Sequence, residues 1–130
     1  MKKRFFLIPG MALLLMALAP QPQNPLLGIW ELQMEGASTG LLKQFNADGT
    51  TINIGLGDEG FGISLEGTYE LRPSGRYVEK TIRSSFGEQN GTQKLVQYRL
   101  AGDSLLHLSY KVEGKSFTEE YKKLKLIGGQ

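Results

Sequence analysis

From Gly28 onward, apolar and polar residues alternate with a period of two, and no window keeps apolar residues at helical spacing for three turns. The alternation predicts strands at roughly 28–35, 41–46, 50–56, 61–71, 76–85, 92–100, 104–112 and 115–126. Seven clusters rich in Gly, Asn, Asp, Ser and Pro separate them, at 36–40, 46–49, 57–60, 72–75, 87–91, 101–103 and 113–114. Every connection is too short for a crossover helix, so chain neighbours pair antiparallel. Eight such strands bury their edges by closing on themselves, and the fold class expected is all-β, an eight-stranded antiparallel up-and-down barrel.

Side chains two apart share a face of a strand. On this rule Trp30, Leu32 and Met34 face inward on the first strand, and Ile52, Ile54 and Leu56 face together on the third. Phe61, Ile63, Leu65, Gly67, Tyr69 and Leu71 do so on the fourth, and Leu106, Leu108, Tyr110 and Val112 on the seventh. The fifth strand is ambiguous. There Tyr77, Glu79, Thr81, Arg83 and Ser85 oppose Val78, Lys80, Ile82 and Ser84, and neither face is clearly apolar.

The N-terminal part follows a different pattern. Lys2, Lys3 and Arg4 precede an apolar run from Phe5 to Leu18, and Ala17 and Ala19 supply the small residues of a cleavage site. This reads as a signal peptide over 1–19, a linker over 20–26 and a barrel over 27–127. The run is shorter than the roughly 20 apolar residues a membrane span needs, and it is interrupted by Pro9 and Gly10. No stable anchor is expected after cleavage, and with no cysteine there is no lipidation site. The expected address is periplasmic or secreted.

Composition narrows the chemistry. The chain of 130 residues carries a formal charge of +2, but without the three leader cations its twelve basic residues face thirteen acidic ones. Such a body lacks the clustered cations that a nucleic-acid surface requires. The absence of cysteine excludes disulfides, thiolate zinc sites and cysteine nucleophiles. His107, the one histidine, has no second histidine with which to build a metal shell, and its place between Leu106 and Leu108 reads as surface-facing. Gly55 to Gly60 matches the dinucleotide-binding glycine pattern, but a strand follows it where that motif needs a helix, and Asp58 and Glu59 would repel phosphate. Glu119 and Glu120 are adjacent on a strand and point to opposite faces, so they cannot form a carboxylate dyad. No catalytic residue, metal or cofactor is assigned.

Gly28-Ile29-Trp30 resembles the G-x-W signature of lipocalin-like barrels. Further on come Leu42-Lys43-Gln44-Phe45 with Asn46-Ala47-Asp48-Gly49, Gly67-Thr68-Tyr69-Glu70-Leu71, Tyr77-Val78-Glu79 and Glu120-Tyr121-Lys122. In this order they resemble a lipocalin-like (calycin-type) family of uncharacterised secreted proteins from Gram-negative gut bacteria, over roughly 27–126. The resemblance implies an eight-stranded barrel and no particular activity. Two departures from better-known relatives stand out. The slot where fatty-acid-binding proteins carry an arginine before a tyrosine holds Glu119, which would repel an anionic head group if it points inward. The arginine that covers the tryptophan in lipocalins is missing, and Lys122, Lys123 and Lys125 are the cations near it.

A barrel would gather Tyr69, Tyr77, Glu79, Arg83, Tyr98, Tyr110 and Tyr121 around one interior, and these are the candidate ligand-binding residues. In that reading Glu79 and Arg83 share a face and orient a small, largely apolar ligand. In the competing reading the rings fill the barrel, Glu79 and Arg83 form an exposed pair, and the protein is a structural or interaction module holding an envelope partner.

Overall fold

The computed structural model describes residues 24–85 and 90–125. The signal peptide expected over 1–19 lies outside the described residues, as does most of the expected linker. The chain runs through β1 (Gly28–Met34), β2 (Ala37–Phe45), β3 (Thr50–Gly57), β4 (Gly60–Arg72), β5 (Arg76–Ser84), β6 (Gln93–Ala101), β7 (Leu105–Val112) and β8 (Lys115–Lys123). Each strand is antiparallel to its chain neighbour, and β1 also pairs with β8, placing Trp30 opposite Lys123 and Leu32 opposite Tyr121. The eight-stranded up-and-down barrel expected from the alternation is the fold.

Tight turns make this closure possible. Glu35 and Gly36, and again Glu113 and Gly114, all have positive φ, the handedness of the two-residue hairpin turns that match strand twist. The first connection is therefore only two residues long, and β2 starts at Ala37, inside the segment that the glycine and serine content assigns to a turn. Gly40, with φ 80°, lies within that strand, where the pairing of β1 with β2 slips between Glu31 and Gln33.

Two further register slips decide what faces inward. On β4, Asn53 lies opposite Leu65 but Ile54 lies opposite Ile63, so Ser64 is an extra residue and the alternation reverses there. Leu65, Gly67 and Tyr69 share the inner face, while Phe61 and Ile63 turn outward, contrary to the single face expected from alternation. The third strand is reversed too. Thr51, fully buried, and Asn53 face the interior, and Ile52, Ile54 and Leu56 lie on the outer wall. A second slip falls on β5, where Thr81 opposes Gly67 and Arg83 opposes Glu66, leaving Ile82 unmatched. Gly67 must be glycine at this crossing, since a Cβ there would sit 2.4 Å from the carbonyl oxygen of Lys80.

One end of the barrel is closed by the segment that enters it. Leu26 is fully buried, and its carbonyl accepts a 2.9 Å hydrogen bond from the indole N–H of Trp30. The Asn24 amide donates to the hydroxyl of Tyr69, which donates in turn to the carbonyl of Asn46. Phe45, Tyr69 and Tyr77 meet edge to face, with centroids 5.0, 5.6 and 6.2 Å apart. Lys123 holds its ammonium 5.5 Å from the centre of the Trp30 ring. Gly28, at φ 126°, allows this approach, because a Cβ there would lie 3.1 Å from the Lys123 side chain.

Candidate functional site

The middle of the barrel buries charge among its apolar and aromatic side chains. Glu79, at 1% exposure, projects from β5 and meets Lys43 from β2, a strand that is not its neighbour, with 2.6 Å between Nζ and Oε1. Lys94, directly opposite on β6, lies 3.4 Å from the other carboxylate oxygen. Lys43 also donates to the side-chain carbonyl of Asn53 at 3.3 Å. Burial by itself raises the Glu79 carboxyl, but the charges of Lys43 and Lys94 and their hydrogen bonds outweigh it and hold the group below its ordinary value. Two cations therefore share one carboxylate across the interior.

A second polar group faces the same space. Glu119 on β8 accepts a 3.0 Å hydrogen bond from the hydroxyl of Tyr110 on one oxygen and another from Tyr121 on the other. Both phenols are pushed well above the usual tyrosine range, chiefly by burial, with the negative charge of Glu119 adding to it. Tyr77 is raised as well, first by burial and then by the charge of Glu79. The Lys94 ammonium stands 4.1 Å over the ring of Tyr110, which links the two polar groups.

Of the seven residues expected to line the interior, Tyr69, Tyr77, Glu79, Tyr98, Tyr110 and Tyr121 do so. Tyr69 belongs to the closed end, and Tyr98 packs beside Tyr77 with ring centres 6.2 Å apart. Arg83 does not face inward. Its side chain is 72% exposed and pairs with Glu66 at 2.6 Å on the outer wall, because the slip at Ile82 reverses the strand after Thr81. The expected Glu79 and Arg83 face is therefore corrected, whether as a ligand clamp or as an exposed pair. The counter-ions of Glu79 are Lys43 and Lys94, which alternation with Phe45 and Val96 places on the inner face of their strands.

Near neutral pH the depressed Glu79 carboxyl is ionised and the raised phenols of Tyr77, Tyr110 and Tyr121 are neutral, so these groups offer charge and hydrogen bonds to the interior. His107 lies on the outer wall between Arg99 and Glu120 in a cross-strand row. Among the described residues no three His, Cys, Asp or Glu side chains gather into a metal shell. Open grooves of about 460 and 520 Å³ run over the outside of β6, β7 and β8, and Gln97, Ser109 and Thr118 line both.

At the end opposite Leu26 several inward positions are apolar and half exposed. Met34, Leu41, Val112 and Phe117 stand there, and Phe117 stacks on Tyr110 with ring centres 5.6 Å apart. Gly55 and Gly62 occupy the inward positions of β3 and β4 at this end, and a Cβ on Gly62 would meet nothing within 4 Å.

Fold and interior together define an all-β barrel, closed at one end by Leu26 and Trp30, with a buried ion network across its middle. The chain belongs to the DUF4488 family, described as a domain of unknown function, whose pattern matches residues 25–127. No curated protein matches the sequence.

Proposed function

We propose that the protein is a lipocalin-like binding module of the periplasm or extracellular space, which takes one small amphiphilic molecule into the end of the barrel opposite Leu26. The apolar part of the ligand packs against Met34, Leu41, Val112 and Phe117, and its polar part faces Lys94, Glu79 and the pair of Tyr110 with Glu119. The observation that carries this reading is the buried Lys43, Glu79 and Lys94 triad beneath an apolar rim. Taking two or three charges out of water is costly, and a well-packed apolar core is often as stable or more so. Stability alone therefore does not explain the triad, whereas a ligand with a polar group does. The ionised floor also shifts the small, largely apolar ligand expected from the sequence toward an amphiphile.

Fluorescence titration with the uncharged probe N-phenyl-1-naphthylamine, an aromatic amine that carries no anionic group for Glu119 to repel, tests this. Saturable uptake of one probe per barrel is expected, weakened by Phe117→Ser and by Lys94→Met and unchanged by Arg83→Ala. Absence of saturable uptake, or uptake indifferent to both interior changes, overturns the proposal. A structural or interaction role in the envelope is the second reading, and the exposed apolar side chains of the outer wall favour it.

A further inference from the structure

The hairpin of β3 and β4 extends past its neighbours in the wall. Among the described residues, β2 pairs with β3 as far as Ile54, and β5 pairs with β4 from Leu65 onward. Beyond those points Gly55, Leu56 and Gly57 pair with Gly62, Phe61 and Gly60 and, among the described residues, with no other strand. The outcome is a two-stranded ribbon. Its inner face is glycine. Its outer face presents Leu56, Phe61 and Ile63, which are 61%, 67% and 56% exposed, and Ile82 follows along the same wall. Four such side chains offer about 450 Å² of apolar surface, the size of the largest apolar patch on a typical monomer, which is often functional.

Charge is arranged along this ribbon with a symmetry of its own. Asp58 and Glu59 form the tip, and Arg83 paired with Glu66 marks the base, with exposed Lys80 beyond it. Gly62 lies midway between tip and base on β4. A two-fold axis beside Gly62 would set Phe61 of one copy on Ile63 of the other. The same operation brings the acidic tip of each copy to the Arg83 and Lys80 side of its partner. We propose that this ribbon is a self-association surface, through which two copies of the chain pack antiparallel, outer face to outer face. The contact buries about 900 Å² of side chain before the polar rim is added, which brings it to the size of a small specific interface. A bilayer suits the ribbon less well, because Asp58 and Glu59 would enter it first and anionic lipid would repel them.

Sedimentation velocity on the protein across a concentration series tests the proposal. A monomer–dimer equilibrium in the micromolar range is expected, weakened about tenfold or more by Phe61→Ser. Reversing the tip with Asp58→Lys and Glu59→Lys should give a monomer, as should reversing the base with Lys80→Glu and Arg83→Glu. An equimolar mixture of the two reversed proteins should dimerise again. The chain has no cysteine, so Phe61→Cys protein mixed with Ile63→Cys protein should crosslink faster than either alone. These positions are exposed, and the far-ultraviolet spectrum checks that each variant keeps its sheet. A monomer up to roughly 100 µM, far above the micromolar dissociation constants of weak interfaces, overturns the proposal. So does a dimer indifferent to Phe61→Ser and to tip reversal, or a monomer that binds phosphatidylglycerol vesicles through Phe61.

Discussion

Replacing Lys43 by methionine removes the closest counter-ion of a carboxylate that is almost wholly buried. Breaking a buried pair from one side costs roughly 3–5 kcal/mol, because the surviving charge keeps its desolvation penalty without its partner. Here Lys94 remains 3.4 Å from Glu79, so the loss should fall at the low end, about 3 kcal/mol. In a barrel of this size that lowers Tm by roughly 12–20 °C. The double variant Lys43→Met with Glu79→Met behaves differently. It removes both buried charges, leaves an apolar contact of similar volume, and frees Lys94, whose side chain is partly exposed, to turn to water. Its stability should lie within about 1 kcal/mol of the parent, which makes the two single changes strongly non-additive. Urea unfolding followed by tryptophan emission reads this directly, since Trp30 is the one tryptophan and is fully buried. A Lys43→Met protein within about 0.5 kcal/mol of the parent, or a double variant losing the sum of the two singles, would refute the reasoning.

Acidification provides a second check. Glu79 titrates lower in the fold than its ordinary 4.5, so its ion pairs contribute fully above that pH and are lost as pH falls through the depressed folded value. The parent should lose more stability across that interval than the double variant, as measured by urea midpoints at a series of acidic pH values. At the alkaline end, Tyr77, Tyr110 and Tyr121 are raised above 10, so their contribution is intact below that pH and declines as pH rises beyond it. Ultraviolet titration should show these three phenols ionising only together with unfolding; a reversible titration of all five tyrosines at 10 would contradict it. Gly67→Ala forces a Cβ into the Lys80 backbone and should destabilise by about 2–3 kcal/mol in the same urea assay. At protein concentrations below the dimer range, Arg83→Ala should leave the urea midpoint within experimental error, because its ion pair with Glu66 is exposed to solvent.

The order and direction of the strands were legible in the sequence because each rests on local causes. Period-two alternation and residues tolerant of positive φ act within a few positions, and the short connections leave antiparallel pairing as the one outcome. Most of the interior candidates could be read for the same reason: Tyr77 and Glu79 share a face with Thr81, and Tyr110 shares one with Leu106 and Leu108. Tertiary structure alone decided where the alternation breaks. A bulge at Ser64 or Ile82 has no residue signature strong enough to announce it; it arises where two strands of different length and twist must stay in register around a closed ring. Each bulge reverses every side chain beyond it, which is how Arg83 left the interior and Phe61 and Ile63 came to the outside. The partners of Glu79 were equally hidden. Lys43 is 36 residues away on a strand across the barrel, and only closure of β1 on β8 brings the two charges within 2.6 Å.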